Sequence, residues 1–73
     1  AVYPNPAVDI VNVEPSFEGR YEVKLYDVQG RLVQNFGEGQ GQRALNLSDI
    51  HAGTYQMVIS QGDARFVSLL NVK

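Results

Sequence analysis

The chain of 73 residues contains no cysteine and no tryptophan. Without cysteine, neither a disulfide framework nor a thiolate zinc site can be built, and the redox compartment stays open. Six basic and eight acidic residues, scattered singly, give a net charge of −2. There is therefore no basic stripe for nucleic acid and no polybasic segment for anionic lipid, which argues against nucleic acid as a partner. Apolar runs fall far short of the ~20 residues of a membrane-spanning helix. The opening, Ala1 to Pro6, lacks the charged and apolar regions of a secretory signal. The first residue is Ala rather than Met, which suggests a piece of a longer precursor. No stretch shows an amphipathic helical period.

The length permits a single domain, residues 1–73, and a domain of this size buries only about 60% of the surface that its unfolded chain exposes. Backbone ordering then has to be offset by nearly every large apolar side chain in the sequence. A large enclosed active site does not fit within such limits.

What the chain does contain is alternation with period two. Tyr55, Met57 and Ile59 alternate with Thr54, Gln56 and Ser60; Gln61 and Gly62 interrupt, and Ala64, Phe66, Leu70 and Val72 resume. This is a strand, a turn and a strand. A two-residue Gln61-Gly62 loop would pair Ser60 with Asp63, Met57 with Phe66 and Gln56 with Val67. One face then carries Tyr55, Met57, Ile59, Ala64 and Phe66, and the other carries Val58 with Arg65, Gln56 with Val67, and Thr54 with Leu69. In this register Leu70 and Val72 lie opposite or beyond Gly53, so the chain end extends past its partner strand as an apolar, available terminus.

Upstream, Tyr3-Pro4-Asn5-Pro6 cannot be helical and reads as an extended lead-in. Val8, Ile10, Val11 and Val13 predict a first strand that Pro15 ends. Phe17 anchors the following loop. Tyr21, Val23 and Leu25 face one side of a second strand, with Glu22 and Lys24 on the other. Asp27-Val28-Gln29-Gly30 fits a type I turn with a glycine bulge, Gly30 being left-handed and Asp27 accepting from backbone N–H groups. Arg31 to Phe36 is the partner strand. Gly37 to Gly41 predicts a mobile crossing between sheets, Arg43 to Leu47 a short strand with Leu45 and Leu47 inward, and Ser48 to Ala52 a single helical turn that tucks in Ile50. The sum is an all-β, immunoglobulin-like antiparallel β-sandwich of six to seven short strands.

Candidate chemistry is thin. His51 stands in a polar loop with no second histidine and no cysteine to complete a metal site. Asp27, Asp49 and Asp63 lie in predicted turns, where Asp bonds its own backbone in preference to calcium. Ser48, Asp49 and His51 have the letters of a nucleophilic triad, but neighbours in one loop lack its geometry. Gly37 to Gly41 precedes no helix that could hold a phosphate. Asn46-Leu47-Ser48 matches a glycosylation sequon whose middle residue is assigned to the core. Tyr3, Tyr21, Tyr26 and Tyr55 lie on separate elements, which fits core and edge roles better than a stacking platform. No cofactor is implied and no catalytic residue is assigned.

Four stretches together resemble the type A C-terminal sorting domain of type IX secretion cargo. They are Tyr3-Pro4-Asn5-Pro6, Leu25-Tyr26-Asp27-Val28-Gln29-Gly30-Arg31-Leu32-Val33, Gly53-Thr54-Tyr55-Gln56-Met57-Val58-Ile59, and the terminal Val72-Lys73. The resemblance spans the whole chain. It implies a domain carried behind an N-terminal cargo domain through the periplasm, read by the type IX translocon and its shuttle β-barrel. A sortase-like peptidase then removes it at the cell surface, leaving the cargo secreted or associated with the outer membrane. By this resemblance Pro4, Pro6, Asp27, Gly30, Gly53 and Tyr55 determine the fold. The resemblance makes Leu69, Leu70, Asn71, Val72 and Lys73 the sorting determinant, and the outer hairpin face adds Val58 and Val67 to the surface expected to be recognised. Only Lys73 is basic in the last eight residues, where relatives are often richer in lysine, which favours strand addition over a charge-led contact. An immunoglobulin-like adhesion or carbohydrate-binding module is the rival reading. The exposed edges and the glycine-rich hinge also leave a strand-swapped dimer open.

Overall fold

The computed structural model describes residues 2–3 and 9–73, which form seven strands and, among them, no helix. Pro4, Pro6 and Val8 of the expected lead-in and first strand lie outside the described residues. The strands are β1 (Val2–Tyr3), β2 (Ile10–Val13), β3 (Arg20–Asp27), β4 (Leu32–Gln40), β5 (Arg43–Asn46), β6 (Gly53–Gln61) and β7 (Ala64–Val72). They build two antiparallel sheets, a three-stranded one ordered β1-β2-β5 and a four-stranded one ordered β4-β3-β6-β7. The result is the immunoglobulin-like sandwich expected from the strand spacing.

The core follows from alternation on the inner faces. Val11 and Val13 of β2 and Leu45 of β5 meet Tyr21, Val23 and Leu25 of β3, Tyr55, Met57 and Ile59 of β6, and Leu70 and Val72 of β7. Leu47, just after β5, is also buried; Phe17 and Ile50 pack against the cluster from their loops. Phe17 stacks on Phe66 at 5.3 Å between centroids and meets Tyr21 edge-on at 5.6 Å.

The corner before β6 is tied by Tyr55, whose hydroxyl donates to the His51 carbonyl at 2.6 Å. A tyrosine near the start of this strand that bonds a backbone carbonyl a few residues upstream is a recurrent device of immunoglobulin-like sandwiches. Ser48 to Ala52 form a turn rather than the expected helical turn, with Ile50 N–H donating to the Leu47 carbonyl.

Glycine 37 to glycine 41 departs most from expectation. It is not a loose crossing: β4 runs through Gly37 and Gly39 and stays paired with β3 as far as Arg20 opposite Gln40. Two register shifts, which pass over Phe36 and Val33, let the strand bend. Gly37 and Gly41 take positive φ of 76° and 71°, whereas Gly39 is accounted for by Arg43. Its guanidinium donates to the carbonyls of Phe36 at 2.8 Å and Gly37 at 3.2 Å, and lies 5.7 Å from the centre of the Tyr21 ring. A Cβ at residue 39 would sit 2.9 Å from Arg43 Nε, so only glycine leaves room for that side chain to reach across. The crossing itself is Gly41 and Gln42, steadied by the Tyr21 hydroxyl donating to the Gly41 carbonyl at 2.5 Å.

The β3–β4 turn is as the sequence predicts. Asp27 and Arg31 bracket Val28-Gln29-Gly30, with Gly30 at φ 86°. The Asp27 carboxylate accepts from the N–H groups of Gln29 and Arg31, each at 2.9 Å, and from Arg31 Nε at 3.1 Å. The Arg31 N–H foremost holds this carboxyl below its ordinary range. A group whose folded value is depressed contributes stability in full above its unfolded value of about 3.9, and loses it as pH falls through the folded value. Thermal unfolding between pH 7 and pH 2 should therefore show a smaller acid-induced loss in Asp27→Ala than in the parent, with the variant already less stable at pH 7. Equal pH dependence of the two would show that the turn does not draw on the ionised form.

Candidate recognition surface

The β6–β7 hairpin turns at Gly62-Asp63, not at Gln61-Gly62: Gln61 pairs with Ala64 and Ser60 with Arg65. The reason is dihedral. A two-residue turn that starts with glycine at positive φ is of the II′ kind, and Gly62 has φ 57° while no non-glycine described residue has positive φ. The Gln61-Gly62 loop would have required left-handed backbone at Gln61. Every pair is thus two residues away from the expected register, which keeps each side chain on its expected face but removes the overhang. Leu70 lies opposite Tyr55 and Val72 opposite Gly53. The expectation of a terminus extending past its partner strand is therefore corrected: β6 backs the whole of β7.

Seven residues were assigned to recognition, and the fold separates them. Val58 pairs with Val67, Gln56 with Leu69 and Thr54 with Asn71, all on the outward face of the four-stranded sheet. Leu70 and Val72 point the other way and are fully buried in the core. Lys73 follows β7 and is exposed. On the outward face, Val67 is 58% and Leu69 63% exposed, whereas Val58 is only 6% exposed, walled in by its neighbours. The Thr54 hydroxyl donates to Asn71 Oδ1 at 3.0 Å and closes the far end of the hairpin.

The face extends sideways by register. Val58 stands opposite Lys24 of β3, and Gln56 opposite Tyr26. Tyr26, Gly30, Gln56, Val58, Arg65 and Val67 together line a shallow depression. Tyr26 and Arg65 were not assigned to the site from sequence. Their parity places them there: Arg65 is an odd residue of β7 like Val67 and Leu69, and Tyr26 an even residue of β3 like Lys24.

The residues weighed for catalysis do not converge on a reacting centre. Ser48, Asp49 and His51 are exposed; the Ser48 N–H donates to Asn46 Oδ1 at 2.8 Å, and the His51 carbonyl serves the Tyr55 hydroxyl. Among the described residues no side-chain polar atom is buried without a partner. Burial raises the Tyr21 hydroxyl above its ordinary value, opposed by the nearby Arg43, and its bond to the Gly41 carbonyl makes it a structural strut.

The architecture thus defines a small immunoglobulin-like sandwich whose outward hairpin face carries an apolar surface. Over residues 1–73 the chain matches the family model of the secretion system C-terminal sorting domain, and it belongs to that family, the sorting domains of type IX secretion. No curated protein and no solved structure matches it. A domain of this family is an export signal that works with the type IX machinery, not a catalyst, and its presence implies delivery to the cell surface or secretion.

Proposed function

We propose that this domain is read through the outward face of the β6–β7 hairpin, with Val67 and Leu69 as the principal contacts and Val58, Asn71 and Lys73 around them. One observation carries the reading. Two large apolar side chains, each more than half exposed, stand two residues apart on the same outward face of β7, over the paired Val58. Leu70 and Val72 act differently, by pinning β7 to the core so that this face is presented in a fixed register. In this reading the domain follows its cargo through the periplasm and engages the translocon and a shuttle β-barrel. A sortase-like peptidase at the outer surface then removes it.

The test is a reporter joined to the N-terminal side of the domain in a bacterium with type IX machinery. Val67→Asp combined with Leu69→Asp should lower the exported fraction about tenfold or more, the factor expected when a central apolar contact is lost. The purified variant should still unfold cooperatively, with a loss of about 1 kcal/mol per site at most, the span of strand propensities at exposed positions. Export at the parental level by a folded double variant would refute the surface.

A further inference from the structure

We propose that Arg65 is the specificity determinant of this surface, and that the partner is a protein presenting a carboxylate beside an apolar patch. The inference rests on the face proposed above and adds the chemistry of what meets it. Among the described residues, the other arginines are committed within the chain. Arg20 lies 3.7 Å from Glu38, Arg31 is held by Asp27 at 3.1 Å, and Arg43 donates to the carbonyls of Phe36 and Gly37. Arg65 makes neither an ion pair nor a side-chain hydrogen bond among the described residues, although acidic residues share its sheet. Ser60 stands opposite it, and Glu22 stands opposite Ser60 on the next strand, two strand spacings or about 10 Å away. Glu22 is itself occupied, its carboxylate 3.4 Å from Lys24 Nζ.

Arg65 thus lines one end of the Val58 and Val67 depression with a cation that nothing described in the fold neutralises. The carboxylates across the sheet from it, Glu22 and Glu38, are each within ion-pair distance of another cation, and the exposed Asp63, two residues before it in the turn, makes no ion pair with it, so the guanidinium is left to an anionic group from outside. A guanidinium presents a planar fork of donors that matches a carboxylate bidentately, and beside partly desolvated aliphatic groups such a pair selects geometry as well as charge. Lys73 is eight positions further on, about 27 Å along an extended strand, and cannot share the same carboxylate. An anionic membrane surface is disfavoured by number, since recognition of that kind takes clusters of about 4 to 8 cations.

The experiment uses the same reporter carrying the whole domain. Arg65→Glu should reduce the exported fraction about tenfold and Arg65→Gln severalfold. Arg65→Lys should fall between Arg65→Gln and the parent, because it keeps the charge and loses the fork. Unfolding midpoints of the purified domains should stay close, since Arg65 is exposed and makes no ion pair or side-chain hydrogen bond within the described fold. Parental export by Arg65→Glu, with export lost in the Val67→Asp and Leu69→Asp double variant, would overturn the arginine inference and leave the surface standing. Parental export by both would overturn the surface itself. Co-sedimentation of the purified domain with vesicles containing anionic phospholipid, absent with neutral vesicles and abolished by Arg65→Glu, would overturn the choice of a protein partner.

Discussion

Leu70→Ala should bring the domain to the edge of unfolding, while Leu69→Ala, one residue earlier, should leave it almost unchanged. The two leucines are adjacent on β7 and point to opposite faces. Leu70 is 0% exposed, opposite Tyr55, inside the cluster formed by Met57, Leu25 and Val72. Truncating a fully buried leucine costs about 2 to 5 kcal/mol, the lost transfer energy plus the cavity left behind. A chain of this length has a total stability of roughly 4 to 11 kcal/mol. The substitution thus removes a large part of what holds the fold. Leu69, at 63% exposure, has little transfer energy to lose, and its replacement should fall within about 0.5 kcal/mol of the parent. Urea unfolding of the two purified variants measures both. Similar midpoints would mean that the inner face of β7 is not anchored as described.

Parity is what made so much of this hairpin legible in sequence. The alternation of Tyr55, Met57 and Ile59 with polar residues assigned faces correctly even though the turn was placed one residue too early, because a two-residue shift of register keeps every side chain on its own side. What the pattern could not supply was the pairing itself, which depends on whether glycine takes the first or the second position of the turn. The Asp27 to Gly30 turn was readable for the opposite reason: its chemistry is local, with the carboxylate and its donors within four residues. The passage from Gly37 to Gly41 was not readable, since what orders it is Arg43, brought under β4 by the return of the chain in another sheet. The split within the recognition segment follows the same logic. Leu69, Asn71 and Lys73 were grouped with Leu70 and Val72 as one terminal element, yet a strand with one face on a core divides such a segment residue by residue.

That division determines how removal of the chain end has to be interpreted. Deleting Leu69 to Lys73 should abolish export, but by unfolding the domain rather than by erasing a docking motif. The deletion takes Leu70 and Val72 out of the core, together worth about 4 to 8 kcal/mol when truncation of the first and full burial of the second are counted. It also strips Gly53, Thr54, Tyr55 and Gln56 of their β7 partners, at the corner that the Tyr55 hydroxyl ties down. Those losses approach the whole stability of the domain. The purified deletion variant should show no cooperative unfolding transition and no dispersed amide resonances. The contrasting variant replaces Leu69, Asn71 and Lys73 with serine and keeps Leu70 and Val72. It should fold with a slightly lowered unfolding midpoint, because the replaced side chains are exposed and the lost bond from the Thr54 hydroxyl to Asn71 is a surface one, and it should still fail to deliver the reporter. If instead the deletion variant folds cooperatively, the claim that β7 closes the core is wrong. If the serine variant folds and is exported normally, export does not read these outward side chains.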